Sequence, residues 1–220
     1  MSILLNGPPR INLGLEPENL PPGFDEFSLA TQEGAERVDF LDVYFLIDTS
    51  GSMRNALGNV AAALKQIMFG IPRLLAFIQT GSVNGPAPNT FYGMGWYKDF
   101  TPEDTCFSNV LPLTHWTESN IGSGIFDLAI TTLVSSAGGG GDKPECQIFA
   151  LNTLATQPGI GWRNQTLGFF GRRIVAWAGD APGHDPSGGV TTLEAIFNLN
   201  TIKINVDAIS VGGNGLNEPL

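Results

Sequence analysis

The chain has 220 residues, of which 42% are hydrophobic and 15% are charged, and its formal net charge is −10. This length suits one α/β domain with a short appendage, and the acidic balance argues against nucleic acid or an anionic membrane surface as a partner. Because no run of about 18 apolar residues occurs, the sequence also predicts no membrane insertion.

Residues 1–37 have the composition of a linker, since prolines, glycines and acidic residues are frequent between Glu16 and Gly23. We expect this segment to be a Pro/Gly-rich lead-in and residues 38–220 to form the domain. The first residues show neither the basic region nor the long apolar run of a signal peptide.

Residues 43–47 (Val-Tyr-Phe-Leu-Ile) are rich in β-branched and aromatic types, which predicts a strand buried on both faces. Asp48, Ser50 and Ser52 follow it directly. Ligands of open parallel sheets bind beyond the carboxyl ends of the strands, and a carboxylate with alternate hydroxyls offers the hard oxygen ligands that Mg²⁺ prefers. The ordinary alternative is an Asx or Ser/Thr turn that caps the next helix.

Two apolar stripes predict the first helices. One runs over residues 57–78, and Pro72 should kink it or divide it into two abutting helices. The other runs over residues 117–136, with Thr117 or Ser119 as its cap. The inward positions of this second helix are predicted to be Ile121, Ile125, Leu128, Ala129 and Leu133.

The remaining patterns predict strands over 91–98, 172–178 and 202–211 and helices over 147–156 and 191–199. Strands that alternate with helices indicate an α/β fold. We therefore predict a doubly wound, Rossmann-like, mostly parallel central sheet flanked by helices.

The string from Asp48 to Met53 resembles the metal-ion-dependent adhesion site (MIDAS) of von Willebrand factor type A domains. Residues 160–164 (Ile-Gly-Trp-Arg-Asn) are similar to a stretch of the I-like domains of integrin β subunits, which are one branch of that family. Three further strings resemble the same branch: Gly-x-Gly-x-x-x-Asp at 93–99, Asp-Lys-Pro-Glu at 142–145 and Asp-Ala-x-x-His at 180–184. The resemblance spans about residues 38–211 and implies the same fold class.

The resemblance also implies a central metal site for Mg²⁺ or Mn²⁺, with Ca²⁺ as a further candidate. The ligands that it implies are Asp48, Ser50, Ser52, Glu145 and Asp180. One coordination position would hold water, which a carboxylate from a partner could replace.

Beside the central site, the family has a second metal site. The residues of this chain that match it are Asp99, Asp142, Pro144 and Glu145. Gly140 stands where the family has a ligating asparagine, so we expect this second site to be weak or empty.

Other departures from the family change the expected chemistry. Asn55 and Ala56 stand where the family has the carboxylates of a third, Ca²⁺-binding site, so no such site is expected. His184 and His115 are interpreted as loop imidazoles hydrogen-bonded to backbone and not as metal ligands. We expect no counterpart of the family's final helix in residues 212–220.

These features together predict a divalent-metal-dependent adhesion module that binds an exposed Asp or Glu of a protein ligand. Another domain of the same chain or an α-like chain is a further expected partner, and the expected location is extracellular or at the cell surface. The alternative is an intracellular type A domain that serves as a metal-dependent assembly module of a chelatase- or ATPase-like complex. We expect no enzymatic activity, because the motif places no His, Lys or Cys base beside Asp48.

Cys106 and Cys146 are too few for a disulfide scaffold and match no metal-ligand spacing. They are either two free thiols or one bridge. Only their expected placement near the metal edge favours a bridge, which would imply an oxidising compartment.

Overall fold

The computed structural model describes residues 38–80, 89–100, 105–117, 124–139, 145–164 and 171–211. By its contacts the chain divides into two units, Met1–Arg37 and Val38–Leu220, and all described residues belong to the second. Among the described residues, every helix is too short or too polar to cross a membrane.

A five-stranded sheet in the order β3-β2-β1-β4-β5 forms the centre of the domain. Its central strand pairs in parallel with a neighbour on each side, the last strand is also parallel, and β3 alone is antiparallel. The chain therefore builds the sheet outward from its middle strand in both directions. The strands are β1 (Phe40–Asp48), β2 (Asn89–Tyr97), β3 (Phe107–His115), β4 (Gly171–Gly179) and β5 (Ile204–Ser210).

Helices cover both faces of this sheet. The described helices are α1 (Leu57–Thr80), α2 (Ile125–Ser135), α3 (Gln147–Thr156) and α4 (Thr192–Thr201), with short 3₁₀ turns at Gly51–Asn55 and Pro158–Ile160. Alternate residues of β1 feed two separate cores: Val43, Phe45 and Ile47 pack with α1 and α2, whereas Tyr44 and Leu46 pack with α3 and α4. The prediction of a doubly wound, mostly parallel α/β sheet is confirmed.

Pro72 does not divide the first helix, because α1 continues through it as one helix. Proline has no backbone N–H, so Pro72 cannot donate a hydrogen bond to the carbonyl of Met68, four residues earlier. The hydroxyl of Tyr92, on β2, donates to that carbonyl at 3.3 Å instead. A side chain of the sheet therefore binds the carbonyl that the proline leaves without a backbone donor. Of the two predicted alternatives, the division into two helices is wrong.

The predicted second helix begins too early, and two of its predicted inward residues are exposed. Residues 116–117 are not helical, Gly124 is the N-cap of α2, and Ser119 and Ile121 lie outside the described residues. Ala129 and Leu133 are buried as predicted, but Ile125 and Leu128 are 42% and 67% exposed. Phe126 and Ile130 take the inward positions. Apolar residues surround nearly the whole helix, so periodicity alone could not identify the buried face.

Candidate metal site

The polar loop after β1 lies at the carboxyl edge of the sheet. Asp48 is fully buried, and its Oδ1 accepts a hydrogen bond of 2.8 Å from the backbone N–H of Ser50. The loop is tied to the neighbouring strand by the N–H of Thr49, which donates to the carbonyl of Tyr97 at 3.1 Å. Between β1 and β4 the chain changes the direction in which it adds strands, which is where ligands of open α/β sheets bind.

Asp180 joins this loop from the end of β4. The Oγ atoms of Ser50 and Ser52 are 3.1 Å apart, and the Ser52 hydroxyl donates to Asp180 Oδ1 at 2.9 Å. Gly179 makes the approach possible, because a Cβ there would lie 2.2 Å from Tyr97 Oη and 3.3 Å from Asp48 Oδ2. Hydrogen bonds thus connect four of the five predicted central ligands: Asp48, Ser50, Ser52 and Asp180.

Glu145, the fifth predicted ligand, reaches the same edge from the segment before α3. Its N–H donates to the carbonyl of Pro182 at 2.9 Å, and its own carbonyl accepts from the N–H of His184 at 3.0 Å. The side chain is buried. This short parallel bridge, registered between Glu145 and Gly183, fixes the glutamate beside the loop that carries Asp180.

The acidic side chains repel one another. Burial, followed by the Asp48, Asp99 and Asp180 carboxylates, raises the pKa of Glu145 to about 8, although a hydrogen bond from Ser50 opposes the change. Burial and then Asp180 raise the pKa of Asp48 to about 6, against hydrogen bonds from Ser50. Such shifts arise where carboxylates lack a positive partner, so a cation at this point would relieve both groups.

The donor set fits a hard divalent cation. Asp48 Oδ2 and Glu145 Oε2 are buried and accept no hydrogen bond within the described structure, although buried carboxylate oxygens are normally satisfied. Among the described residues no three acidic, His or Cys side chains could hold an ion by themselves. Serine hydroxyls and water would therefore have to complete the shell, as Mg²⁺, which retains several waters, allows.

The structure describes only some of the residues predicted for the second and third metal sites. Asp99 is buried, and its Oδ1 lies 3.2 Å from His184 Nε2. Asp142 and Pro144 lie outside the described residues, and Asn55 ends the 3₁₀ turn after the Asp48 loop. The side chain of His184 thus contacts a carboxylate, where the sequence predicted a backbone partner. His115 lies at the far end of β3, where its ring packs against Phe91.

A disulfide links Cys106 to Cys146, with Cα atoms 6.1 Å apart. The bridge joins the segment before β3 to the residue directly after Glu145. The backbone of Lys98 is hydrogen-bonded to both cysteines. Its N–H donates to the Cys106 carbonyl at 3.0 Å, and its carbonyl accepts from the N–H of Cys146 at 3.1 Å. The bridge therefore holds the glutamate-bearing segment against the end of β2.

Removing this bridge is expected to destabilise the fold and to loosen the position of Glu145. The disulfide closes 40 residues, and loss of a native bridge in a small domain costs about 2–5 kcal/mol. Urea unfolding of the Cys106→Ser/Cys146→Ser double variant measures the loss, and alkylation without reductant counts the thiols of the parent. Two alkylated thiols in the native parent, or unchanged stability of the variant, would contradict the assignment.

Arg163, in the string most similar to the integrin branch, is partly buried and binds the fully buried Asp42, a contact that the sequence did not reveal. The side-chain Nε of Arg163 donates to Asp42 Oδ1 at 2.6 Å, and the backbone N–H of Arg163 donates to Asp42 Oδ2 at 3.1 Å. Its Nη2 reaches the carbonyls of Leu41 and Asn89 at 2.9 Å each. The guanidinium also lies 3.9 Å from the ring centroid of Phe91. These contacts lie where β1 and β2 begin, at the edge opposite Asp48, so the role of Arg163 is structural.

Comparison with known proteins identifies the class of fold. No protein-family model and no curated protein sequence matches this chain. The structure is similar to that of proximal thread matrix protein 1 (PTMP1) from the mussel byssus, solved with a zinc-occupied MIDAS motif, with a TM-score of 0.53 and 17% identity over 81% of this chain and 40% of that chain. This likeness shows a fold of the von Willebrand factor A type.

Two further similarities have lower scores. A second PTMP1 structure has a TM-score of 0.50 and 13% identity over 80% of this chain and 37% of its own. The pilus adhesin SpaC of Lactobacillus rhamnosus GG has a TM-score of 0.45 and 14% identity, over 79% of this chain and 25% of that protein. The chain therefore spans about two fifths or less of the length of these proteins.

Proposed function

We propose that this chain is a divalent-metal-dependent adhesion module whose ion binds an acidic group of a protein ligand. The observation that carries the proposal is the pair of buried, unpartnered oxygens, Asp48 Oδ2 and Glu145 Oε2, beside hydroxyls at the carboxyl edge of the sheet. A chain that buries two such oxygens without a hydrogen bond gains stability when a cation joins them.

Each residue of the site has a distinct role. Asp48 and Glu145 supply the buried negative charge, whereas Ser50 and Ser52 supply neutral oxygens. Asp180 orients the Ser52 hydroxyl through their hydrogen bond of 2.9 Å. A bound Mg²⁺ or Mn²⁺, or less selectively Ca²⁺, would offer one coordination position to an oxygen of the ligand's Asp or Glu. One such contact gives modest affinity, so neighbouring surfaces or multivalency must add to it.

We propose binding without catalysis. The motif places no His, Lys or Cys base directly beside Asp48, and Cys146 is in a disulfide. A general base needs free access to the proton that it removes. The disulfide also supports an extracellular or cell-surface location over the intracellular assembly module.

The first test of this function is cation binding followed by peptide capture. Calorimetry with Mg²⁺, Mn²⁺ and Ca²⁺ should detect one site in the 220-residue protein. Immobilised protein should then retain peptides with a central Asp more strongly than matched peptides with Asn, in Mn²⁺ but not in EDTA. Absence of any divalent-cation binding, or equal retention of the two peptide sets, would contradict the proposal.

The stability of the metal-free protein should fall as pH rises from about 5 to about 8. The folded-state pKa of Glu145, about 8, lies above its ordinary value of 4.5. Between these values the folded state holds more protons than the unfolded state, so stability decreases with pH. Melting temperatures in EDTA measure the slope, which Glu145→Gln should flatten and the exposed control Glu194→Gln should not. A melting temperature that is constant or rises with pH would contradict this reading.

A further inference from the structure

A buried tyrosine hydroxyl lies next to the loop that carries Asp48. Tyr97, the last residue of β2, is fully buried, and a Cβ at Gly179, at the end of β4, would lie only 2.2 Å from its Oη. The central strand β1 lies between β2 and β4 in the sheet. The side chain of Tyr97 therefore reaches across the end of β1, and its hydroxyl fills the space that a side chain at position 179 would take.

Asp48 borders the same space. The Cβ position at Gly179 lies 3.3 Å from Asp48 Oδ2, as well as 2.2 Å from Tyr97 Oη. The two oxygens are therefore within about 5.5 Å of each other, the sum of these distances. Asp48 Oδ2 is buried and accepts no hydrogen bond in the described structure. In such a dry environment a hydroxyl dipole and a carboxylate interact more strongly than they do in water.

Trp177 determines the direction of the hydroxyl. Its indole Nε1–H donates to Tyr97 Oη at 2.7 Å, and its side chain is almost completely buried. An indole N–H can only donate, so the tyrosine oxygen is the acceptor in this pair. The hydroxyl proton must then point away from Trp177, and a buried donor normally has an acceptor of its own. The neighbouring Asp48 Oδ2 is an acceptor that still lacks a hydrogen bond.

We infer that Tyr97 is a positioning residue for the candidate metal site, because Trp177 presents its hydroxyl to Asp48. Asp48 Oδ1 is already held by the backbone N–H of Ser50 at 2.8 Å. A donor on the side of Oδ2 fixes the plane of the carboxylate, and each oxygen keeps a lone pair for an ion. Partners of this kind orient the side chains that bind a metal. The inference rests on the proposed function, because it concerns the same site.

Tyr97→Phe tests the inference, because it removes the hydroxyl and keeps the ring. Mn²⁺ is the probe, and calorimetry gives its Kd for each variant. Tyr97→Phe should bind Mn²⁺ about 10–100-fold more weakly than the parent, the range for changes just outside a metal's ligand set. Tyr92→Phe is the matched control. Tyr92 is also a fully buried tyrosine of β2, but its hydroxyl donates to Met68 on α1, so this variant should bind Mn²⁺ as the parent does.

A second variant tests the inference even where Tyr97→Phe does not fold. Trp177→Phe keeps the tyrosine but removes the N–H that orients it, so it should weaken Mn²⁺ binding by a smaller factor than Tyr97→Phe does. The double variant should lose no more affinity than Tyr97→Phe alone, because the indole acts through the hydroxyl. Melting curves in EDTA establish which variants are folded.

The outcomes separate this inference from the proposed function. An Mn²⁺ affinity equal to that of the parent in folded Tyr97→Phe or folded Trp177→Phe would overturn the inference and leave the proposed function intact. Equal losses of affinity in Tyr97→Phe and Tyr92→Phe would also overturn it, because they would show a general effect of core packing. Failure of the parent to bind any divalent ion would overturn both.

Discussion

Asp48→Asn is expected to abolish divalent-cation binding and, at the same time, to stabilise the metal-free protein. The carboxylate of Asp48 is fully buried, its Oδ2 lacks a hydrogen bond, and burial with the nearby Asp180 raises its pKa to about 6. Removal of this charge relieves a cost of up to about 3 kcal/mol at neutral pH, since each pKa unit corresponds to about 1.4 kcal/mol. The amide oxygen can still accept from Ser50.

Thermal melts with EDTA and with Mg²⁺ measure both effects in one experiment. The parent should melt higher in Mg²⁺, because an ion that binds only the folded state stabilises it. Asp48→Asn should melt higher than the parent in EDTA and should not respond to Mg²⁺. The matched control is Asp127→Asn, since Asp127 is 48% exposed and pairs with Lys65 at the surface, where such pairs contribute little. A variant that still responds to Mg²⁺, or is less stable in EDTA, would contradict the site.

Arg163→Ala is expected to lower the free energy of unfolding by about 3–5 kcal/mol, the cost of breaking a buried ion pair by removing one partner. The loss would leave the fully buried carboxylate of Asp42 without its guanidinium. Arg163→Lys should recover only part of the stability, because an ammonium cannot reproduce the planar, multiply bonded guanidinium. The exposed Arg73→Ala on α1 is the control.

Urea unfolding followed by tryptophan fluorescence measures these changes. The double variant Asp42→Ala/Arg163→Ala should lose less free energy of unfolding than the two single variants lose together, because it removes both charges at once. Additive losses would mean that the two residues act independently. Since Arg163 lies at the opposite edge of the sheet, folded Arg163→Lys should bind divalent cations as the parent does.

Local patterns were sufficient for the parts of the fold whose environment is simple. The β-branched and aromatic residues of the apolar run before Asp48 predicted a strand buried on both faces, and β1 has that burial along its whole length. The sequence also placed Asp48, Ser50, Ser52 and Asp180 at the ends of strands. Because parallel strands bring their carboxyl ends to one edge, their proximity followed from the fold class.

Other features depend on contacts that no local pattern contains. Tyr92 satisfies the carbonyl that Pro72 leaves free in α1, although the two elements are separate in the sequence. Asp42 and Arg163 meet across 121 positions, and an acid inside an apolar run gives no sign of its partner. His184 was expected to bind backbone through its ring, but only the folded loop shows that the ring reaches Asp99.

A pulling force on a ligand held at this edge would enter the fold through the end of β1. That strand lies in the middle of the sheet and is paired with β2 from Phe40 to Asp48 and with β4 from Phe40 to Ile47. Because ladder hydrogen bonds run across the strands, tension along β1 loads them in shear all at once, whereas an edge strand could be peeled away bond by bond. Arg163 anchors the other end through Asp42. If the proposed ligand binds at Asp48, the strand that it loads is therefore one held by hydrogen bonds on both sides and not an edge strand.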